Sequence, residues 1–367
     1  MFEIKSTYFN TAYLGPTPLL ARERILERLD RGLDPESYEN NQWFEFADRV
    51  RERLAHLAGC APINVAFSTS VSELVSHVAN GLNLGKNDEV VLMNGDYPSL
   101  ILPWLVLKEL RGFELRLLEL DTFLNPTKLC KELSAKTKFV ACSHVMFNTG
   151  IQLPVSEIGA LCRSKEILYM SDVSQSFGGM TLPPASLNCD ILVGVCYKWL
   201  LGPYGSAWGY FSERALAKIP RTHASWLNSL HSKSRENLLK YSVDTFPGAR
   251  RFDRGEAPSF LITAGLEGSL DLLTQVGLEK IERQNRKLTD YFLQHLPKGF
   301  ELASPYELRS NIVCIKPGTK DPVRLKEILA QHQIIASLRE RNLRFAFHFF
   351  NNEEQVNRTL KVLEESR

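Results

Sequence analysis

Between residues 60 and 211 short apolar runs recur near positions 65, 90, 115, 139, 168, 192 and 208, most of them separated by amphipathic stretches. Runs such as Val65-Ala66-Phe67 and Ile191-Leu192-Val193-Gly194-Val195-Cys196 are too short for a helix and are closed by Ser, Gly or Pro, so they predict buried strands. Strands alternating with helical stretches predict a largely parallel sheet covered by helices on both faces. The pattern then changes. Helical periodicity runs from Ser259 to Val276 and from Leu278 to Leu296, with Glu279, Lys280, Glu282, Arg283, Arg286 and Lys287 as a solvated face. After Pro297-Lys298-Gly299 the chain reads as a strand (Asn311 to Lys316), a helix (Pro322 to His332), strands (Ile334 to Ser337 and Leu343 to Phe349) and a last helix from Asn352. The fold class expected is α/β: an N-terminal segment over 1–20, a large domain over 21–250 and a smaller α+β domain over 251–367. No internal repeat or low-complexity tract interrupts it.

Lys198 is where chemistry enters. It follows the apolar run Ile191 to Cys196 and precedes Trp199-Leu200-Leu201-Gly202-Pro203-Tyr204-Gly205, so the chain carries an amine to the rim of a core. Desolvation lowers an ammonium pKa, and a lysine neutral near physiological pH forms a Schiff base with a carbonyl such as that of pyridoxal phosphate. A lysine that snorkels to solvent is the plainer alternative. A second strand, Ile167 to Met170, ends in Ser171-Asp172 and is followed by Gln175. A carboxylate there suits a protonated pyridine nitrogen, since ligands of parallel α/β sheets collect beyond the carboxyl ends of the strands; alone, Asp172 also reads as a turn residue.

Upstream, Ser68-Thr69-Ser70-Val71-Ser72-Glu73 opens a helix through Leu74, Val75, Val78, Ala79 and Leu82, with Ser70 and Glu73 at capping-box spacing. Free amides and the helix dipole at such a start suit a phosphate, and Ser72 adds a hydroxyl; most capping boxes, however, bind nothing. Near the end, Leu343, Phe345, Phe347 and Phe349 alternate with Arg344, Ala346 and His348, as in a strand with two unlike faces.

Composition narrows the classes. The 367 residues suffice for a large core, and a formal charge of +2 predicts no bulk attraction to nucleic acid or membrane. No apolar stretch approaches the ~20 residues of a membrane span, and Met1-Phe2-Glu3-Ile4-Lys5 lacks a signal-peptide pattern, so the cytoplasm is the expected compartment. The seven cysteines (Cys60, Cys130, Cys142, Cys162, Cys189, Cys196, Cys314) form no Cys-x-x-Cys pair and read as free thiols, and the histidines show no metal-ligand spacing. His144 and His348 stand near the candidate site and also fit core positions.

Taken together, Ser143-His144-Val145, Asn148-Thr149-Gly150, Pro154-Val155-Ser156-Glu157-Ile158, Leu161-Cys162-Arg163, Asp172-x-x-Gln175 and Tyr197-Lys198-Trp199-Leu200 with Gly202-Pro203 resemble the class V aminotransferase family of fold-type I pyridoxal phosphate enzymes. Asp96-Tyr97-Pro98-Ser99 and Leu343 to Asn351 extend the resemblance from about Asn10 to about Leu363. It implies that Lys198 carries the Schiff base, that Asp172 pairs with the pyridine nitrogen, and that Gln175 and Asn148 bond the ring hydroxyl side. Tyr97 falls where relatives stack a ring on the cofactor, although a Tyr-Pro turn is its structural alternative. Ser70, Val71 and Ser72 map onto the phosphate cup, with Tyr197 as a further donor. Arg344 matches the arginine that grips the substrate α-carboxylate, with Arg339 and Arg341 as alternatives. Tyr8 to Pro16, with Asn10, resembles the family's N-terminal substrate-site segment.

The departures are informative. Tyr197, where many relatives have His, is more like kynureninases, but Gln175 stands where kynureninases usually have His. Cys314 lies in a strand-like run and not on the mobile loop of a cysteine desulfurase, which argues against that activity. Arg254-Gly255-Glu256-Ala257 lacks the Gly-Thr that relatives present to the phosphate across a dimer, leaving Arg250, Arg251 or Arg254 as candidates. The expectation is a homodimeric pyridoxal phosphate enzyme acting at Cα of a small amino acid or amine, first as an aminotransferase. A Cα/Cβ lyase or kynureninase-like hydrolase and an amino-acid epimerase are the enzymic alternatives, and a degenerate binding or scaffold protein is the non-enzymic one.

Overall fold

The computed structural model describes residues 1–34, 36, 42–233, 239–253 and 259–366. The chain enters through β1 (Thr7–Tyr8) and then lays down β2 (Val65–Ser68), β3 (Glu89–Met93), β4 (Glu114–Leu118), β5 (Thr137–Ser143), β6 (Leu168–Asp172), β7 (Ile191–Val195) and β8 (Ala207–Phe211). These last seven form one sheet in the order β2-β8-β7-β6-β5-β3-β4. β4, β3, β5, β6 and β7 are mutually parallel, and β8 runs antiparallel to both β7 and β2. Every strand but β8 therefore ends on the same edge. The mostly parallel sheet expected from the alternation is present, with its strands at the expected positions.

The central strands are buried on both faces, which is why they read as unbroken apolar runs. Val91, Val140, Tyr169 and Leu192 point into one core with the helices Gln42–Ala58, Val155–Ser164 and Phe260–Val276. Their neighbours Val90, Phe139, Leu168 and Ile191 point into the other, under the helices Val71–Gly81 and Pro98–Arg111. Edge strand β4 is mostly exposed or half-buried and carries Glu114 and Arg116. The helix Phe260–Val276 lies against the helix Leu19–Arg31 so closely that a Cβ on Gly268 would meet Ala21 Cα at 2.7 Å.

A separate core gathers Leu288, Phe292, Val313, Ile315, Leu325, Leu329, Phe345, Phe347 and Val356, together with Phe9 from the N-terminal segment. Over it, β9 (Glu301–Leu302), β10 (Ile312–Lys316), β12 (Ser337–Arg339) and β13 (Asn342–Ala346) form an antiparallel sheet in the order β12-β13-β10-β9, while β11 (Ile334–Ile335) pairs in parallel with β1. The run Ile334 to Ser337, expected as one strand, breaks at Ala336 because its two halves pair with different partners. The strand expected over Leu343 to Phe349 stops at Ala346. Beyond it Phe347 N–H donates to Asn311 O and a turn closes with Asn351 N–H on His348 O at 2.9 Å.

All seven cysteines are free. Among the described residues no helix is long and apolar enough to cross a membrane, and no His/Cys/Asp/Glu group of metal-holding size occurs.

Candidate active site

The segment after β7 is fixed at nearly every peptide. Cys196 N–H donates to Ser206 O at 3.0 Å, Gly202 N–H to Cys196 O at 2.8 Å and Gly15 N–H to Tyr197 O at 2.8 Å. His348 Nε2 donates to Trp199 O at 3.0 Å and Ser269 Oγ to Leu201 O at 2.7 Å. Trp199, Leu200 and Leu201 are buried and nail the loop into the core. Gly15 packs so tightly on it that a Cβ would stand 2.2 Å from Lys198 O. With its backbone held on both sides, Lys198 is 7 % exposed. Burial pulls its pKa from 10.5 down to about 8, with Asp172 opposing and Arg344 and Arg339 reinforcing the shift.

Asp172 closes β6, the neighbouring strand, and is buried. Burial pushes its carboxyl pKa up, while the Ser174 N–H at 2.7 Å and the Lys198 charge pull it back. On the far side of β5, Asp96 receives Ser143 N–H at 2.7 Å, Ser143 Oγ–H at 2.5 Å and Tyr97 N–H at 2.7 Å. Its burial raises its pKa to about 6 against those bonds. Asp96 thereby fixes the start of the helix Pro98–Arg111, where Tyr97 is the N-cap. The Tyr97 ring centroid lies 5.4 Å from Lys198 Nζ and 5.2 Å from the Phe147 ring.

The smaller sheet supplies the opposite wall. Arg344 is 1 % exposed; its Nε donates to Ser337 Oγ at 2.9 Å and its Nη1 to Phe147 O at 2.6 Å, while Nη2 is buried without a partner. Burial, then Arg339, lowers its pKa to about 10. Arg344 and Arg339 line one cleft of about 210 Å³ with Ala12, Tyr13, Leu14, Tyr97, Phe147, Gln175, Tyr197, Lys198 and Tyr204. Five of these residues (Tyr97, Phe147, Gln175, Tyr197, Lys198) also border a narrow recess with Val71, Ser143, Asp172 and Ser174. Arg341 is exposed at the tip of the hairpin between β12 and β13, beside Glu340, both with positive φ (68° and 46°).

Other residues singled out in the sequence are placed less directly. Ser70 caps the helix Val71–Gly81 by accepting Glu73 N–H at 3.2 Å, but the Glu73 carboxylate accepts from Thr69 N–H instead of closing a capping box on Ser70. Of Ser70, Val71 and Ser72, Val71 borders the recess. Gln175 donates to Ala12 O at 3.1 Å and accepts from Trp199 Nε1 at 3.3 Å. Asn148 turns its Nδ2 to Glu340 at 2.8 Å and leaves Oδ1 buried and unpartnered. Asn10 bridges to Ala346 and also has a buried, unpartnered Oδ1. Tyr197 packs on Tyr204 at 4.6 Å, and burial raises its pKa to about 12.

His144, bonded to Ser176 Oγ at 3.0 Å, and His348 are buried, and burial lowers both to about 4; neither lines the cleft. Phe349 N–H donates to His348 Nδ1, so the tautomer carries its proton on Nε2, toward Trp199 O. Cys314 lies in β10 with its thiol on Asn148 O and its pKa raised by burial to about 12. Arg250 pairs with Asp48, and Arg251 donates to Leu216 O and Ile219 O. Arg254 to Ala257 fall outside the described residues.

Sequence reasoning missed Phe147 and Tyr204 as wall residues and Asp96 as the carboxylate that fixes Tyr97 from behind, although each sits inside or next to a stretch that was recognised. A carboxylate directly before Tyr97 and an aromatic directly before Asn148 were the available signals.

A buried amine of lowered pKa, a buried carboxylate on the adjacent strand, an aromatic face, a helix start and the unpartnered Nη2 of a cleft-lining arginine fit pyridoxal phosphate and an amino acid bound beside it. Together with the sheet they define a fold-type I pyridoxal phosphate enzyme. The chain belongs to the aminotransferase class-V family, whose model matches residues 37–358. It is 26% identical over 371 residues to isopenicillin N epimerase of Streptomyces clavuligerus, covering 97% of this chain and 93% of the relative. A probable cysteine desulfurase of Methanothermobacter thermautotrophicus is 24% identical over 86% of this chain and 82% of its own. Among solved structures, a cystine C–S lyase in complex with its product cysteine persulfide superposes with a TM-score of 0.89 at 22% identity, covering 98% of each chain. The apo cysteine desulfurase of Thermococcus onnurineus gives a TM-score of 0.85 at 23% identity over 99% of this chain and 94% of that one. At these identities the two structures establish the fold.

Lys198 titration tests the electrostatics. The unfolded chain holds the Lys198 proton up to 10.5 and the folded chain releases it near 8, so this group makes the cofactor-free protein gain stability as pH rises between those values. The ¹³Cε resonance that disappears in Lys198→Met is expected to titrate with a midpoint near 8, and urea unfolding of that variant is expected to lose the gain. A midpoint at 10.5 would show an amine that stays in water.

Proposed function

We propose that this chain is a pyridoxal phosphate enzyme that acts at Cα of a small amino acid and that its reaction is aminotransfer. The observation carrying this reading is the convergence of Lys198, Tyr97 and Arg344 on one cleft, with Asp172 in the recess that opens from it. When bound, pyridoxal phosphate supplies an electron sink for negative charge developing at the substrate Cα. Lys198 holds the cofactor aldehyde carbon through Nζ, and Asp172 keeps the ring nitrogen protonated. Tyr97 covers one ring face at low entropic cost. Ser70, Val71 and Ser72, at the start of the helix Val71–Gly81, would meet the phosphate, Val71 and Ser72 through their backbone amides and Ser70 as the cap that sets the helix start, and Tyr197 would add a phenol donor. Gln175 has one Nε2 hydrogen left after its bond to Ala12 O and directs it to the ring oxygen, beside Asn148.

Arg344 takes the substrate α-carboxylate through the unpartnered Nη2, with Asn10 on the same side. That grip leaves the Cα–H bond facing Lys198. Lys198 Nζ, whose pKa burial brings down to about 8, would take the Cα proton and pass it on the same face to the former aldehyde carbon of the cofactor, the transfer that yields the oxo acid and the amine form. Cys314 is locked in β10 with its thiol raised to about 12, which speaks against a mobile sulfur-accepting cysteine there.

Incubating the holoprotein with single amino acids in deuterated water is expected to give the amine form of the cofactor and the oxo acid. Inversion at Cα, or elimination without the amine form, would overturn the aminotransfer reading. Arg344→Lys replaces a fork by a point charge and forfeits about 1.5–3 kcal/mol of charge-assisted bonding. It is expected to lower kcat/KM about 10- to 100-fold, mostly through KM.

The reading includes a homodimer in the cytoplasm. Seven free cysteines suit a reducing compartment. Next to the active cleft an apolar groove of about 520 Å³, with Ile4, Leu14, Pro16, Leu19, Ile25 and Leu26 in its wall, offers a second copy a surface. Sedimentation at micromolar concentration is expected to give twice the 41.7 kDa chain mass, and a monomer would remove this part of the reading.

A further inference from the structure

The wall formed by the smaller sheet carries more positive charge than one carboxylate needs. β12 and β13 pair with Ser337 opposite Arg344 and Arg339 opposite Asn342. Side chains alternate along a strand, so Ser337, Arg339, Asn342 and Arg344 share one sheet face. On that face Arg339 and Arg344 are diagonal cross-strand neighbours, a relation in which side chains lie about 7–8 Å apart at their base. Both line the active cleft.

The partners of both guanidinium groups are uncharged. Arg339 Nη1 donates to Leu338 O at 2.8 Å, and Arg344 uses Ser337 Oγ and the Phe147 carbonyl. Among the described residues neither belongs to an ion pair, and Arg344 Nη2 has no partner at all. Two like charges side by side, one of them 1 % exposed, are unfavourable until anions meet them. Tyr13, Tyr97, Phe147, Tyr197 and Tyr204 surround them with rings. Such walls displace water and make each charge pair count for more.

We infer that the substrate is a dicarboxylic α-amino acid, whose α-carboxylate lies on Arg344 and whose side-chain carboxylate lies on Arg339. This rests on the preceding reading in that Arg344 holds the α-carboxylate. The ammonium between the two carboxylates faces Lys198, as amino-group chemistry requires. Arg339 is then the residue that selects the side chain. It is half-buried, with its Nη1 on Leu338 O.

Calorimetric titration of the holoenzyme with glutarate against butyrate, and with succinate against propanoate, separates the second carboxylate from the first. The dicarboxylate is expected to bind at least about tenfold tighter in each pair, as one added charge-assisted contact gives. Arg339→Gln is expected to bring each ratio to about one to two, and Arg339→Lys to hold it in between. Arg341→Gln removes the same charge from the exposed hairpin tip, outside the cleft, and is expected to keep the full advantage. Equal binding within a pair by the unmodified enzyme overturns the inference, as does an advantage that survives Arg339→Gln or vanishes in Arg341→Gln. Calorimetry needs no turnover. A dicarboxylate advantage in a protein that never makes the amine form of its cofactor would sink aminotransfer and leave this inference standing. Turnover of glutamine as fast as glutamate, with equal binding in each pair, would do the reverse.

Discussion

Everything in this site depends on holding one amine out of water at the end of a parallel strand. A lysine loses protonation free energy when buried, and the fold tolerates that only because the backbone around it has no other place to go. The carbonyls of Tyr197, Trp199 and Leu201 are each taken by a donor from a different part of the chain, Gly15, His348 and Ser269. Those three donors come from the N-terminal segment, the segment after β13 and the helix Phe260–Val276. The lysine is thus a point where the large domain, the segment after the smaller sheet and the chain entry meet, and its lowered pKa is a property of that meeting and not of its immediate sequence.

The second constraint is directional. Because β8 alone is reversed, β2, β3, β5, β6 and β7 deliver Ser68, Asp96, Ser143, Asp172 and Lys198 at or just beyond one edge. The smaller sheet closes over that edge from the other side with Arg339 and Arg344. In the function proposed, a negatively charged cofactor and an amino acid would lie between a helix start and two guanidinium groups, with the buried carboxylates Asp172 and Asp96 behind. Asp96 also ties the Tyr97 backbone to Ser143, so an aromatic face is set by the carboxylate before it and by the neighbouring strand β5.

Much of this was legible in the sequence because it is local. Apolar runs that lead to Lys198 and Asp172 are strands whose ends must lie on a sheet edge, and the alternation around Arg344 gives a strand with one face on the smaller core and the other toward the cleft. The distribution of bonds within the site was not legible. Gln175 is engaged by Ala12 and Trp199, which are far from it in sequence, and Asn148 reaches Glu340 across the seam between the sheets. The capping spacing of Ser70 and Glu73 was visible, but Thr69 captures the Glu73 carboxylate. Strand ends near Ala336 and Ala346 depend on which partner each half finds, β1, β13 or Asn311, and no residue there announces a break.

The claim on which the account stands is that Lys198 Nζ carries the cofactor. Borohydride reduction of the holoprotein followed by peptide mass spectrometry tests it directly. The account predicts the pyridoxyl mass on the peptide containing Lys198 and on no other lysine, with the adduct lost in Lys198→Met. A label on a different lysine, or a Lys198→Met protein that is labelled to the same extent, would contradict it.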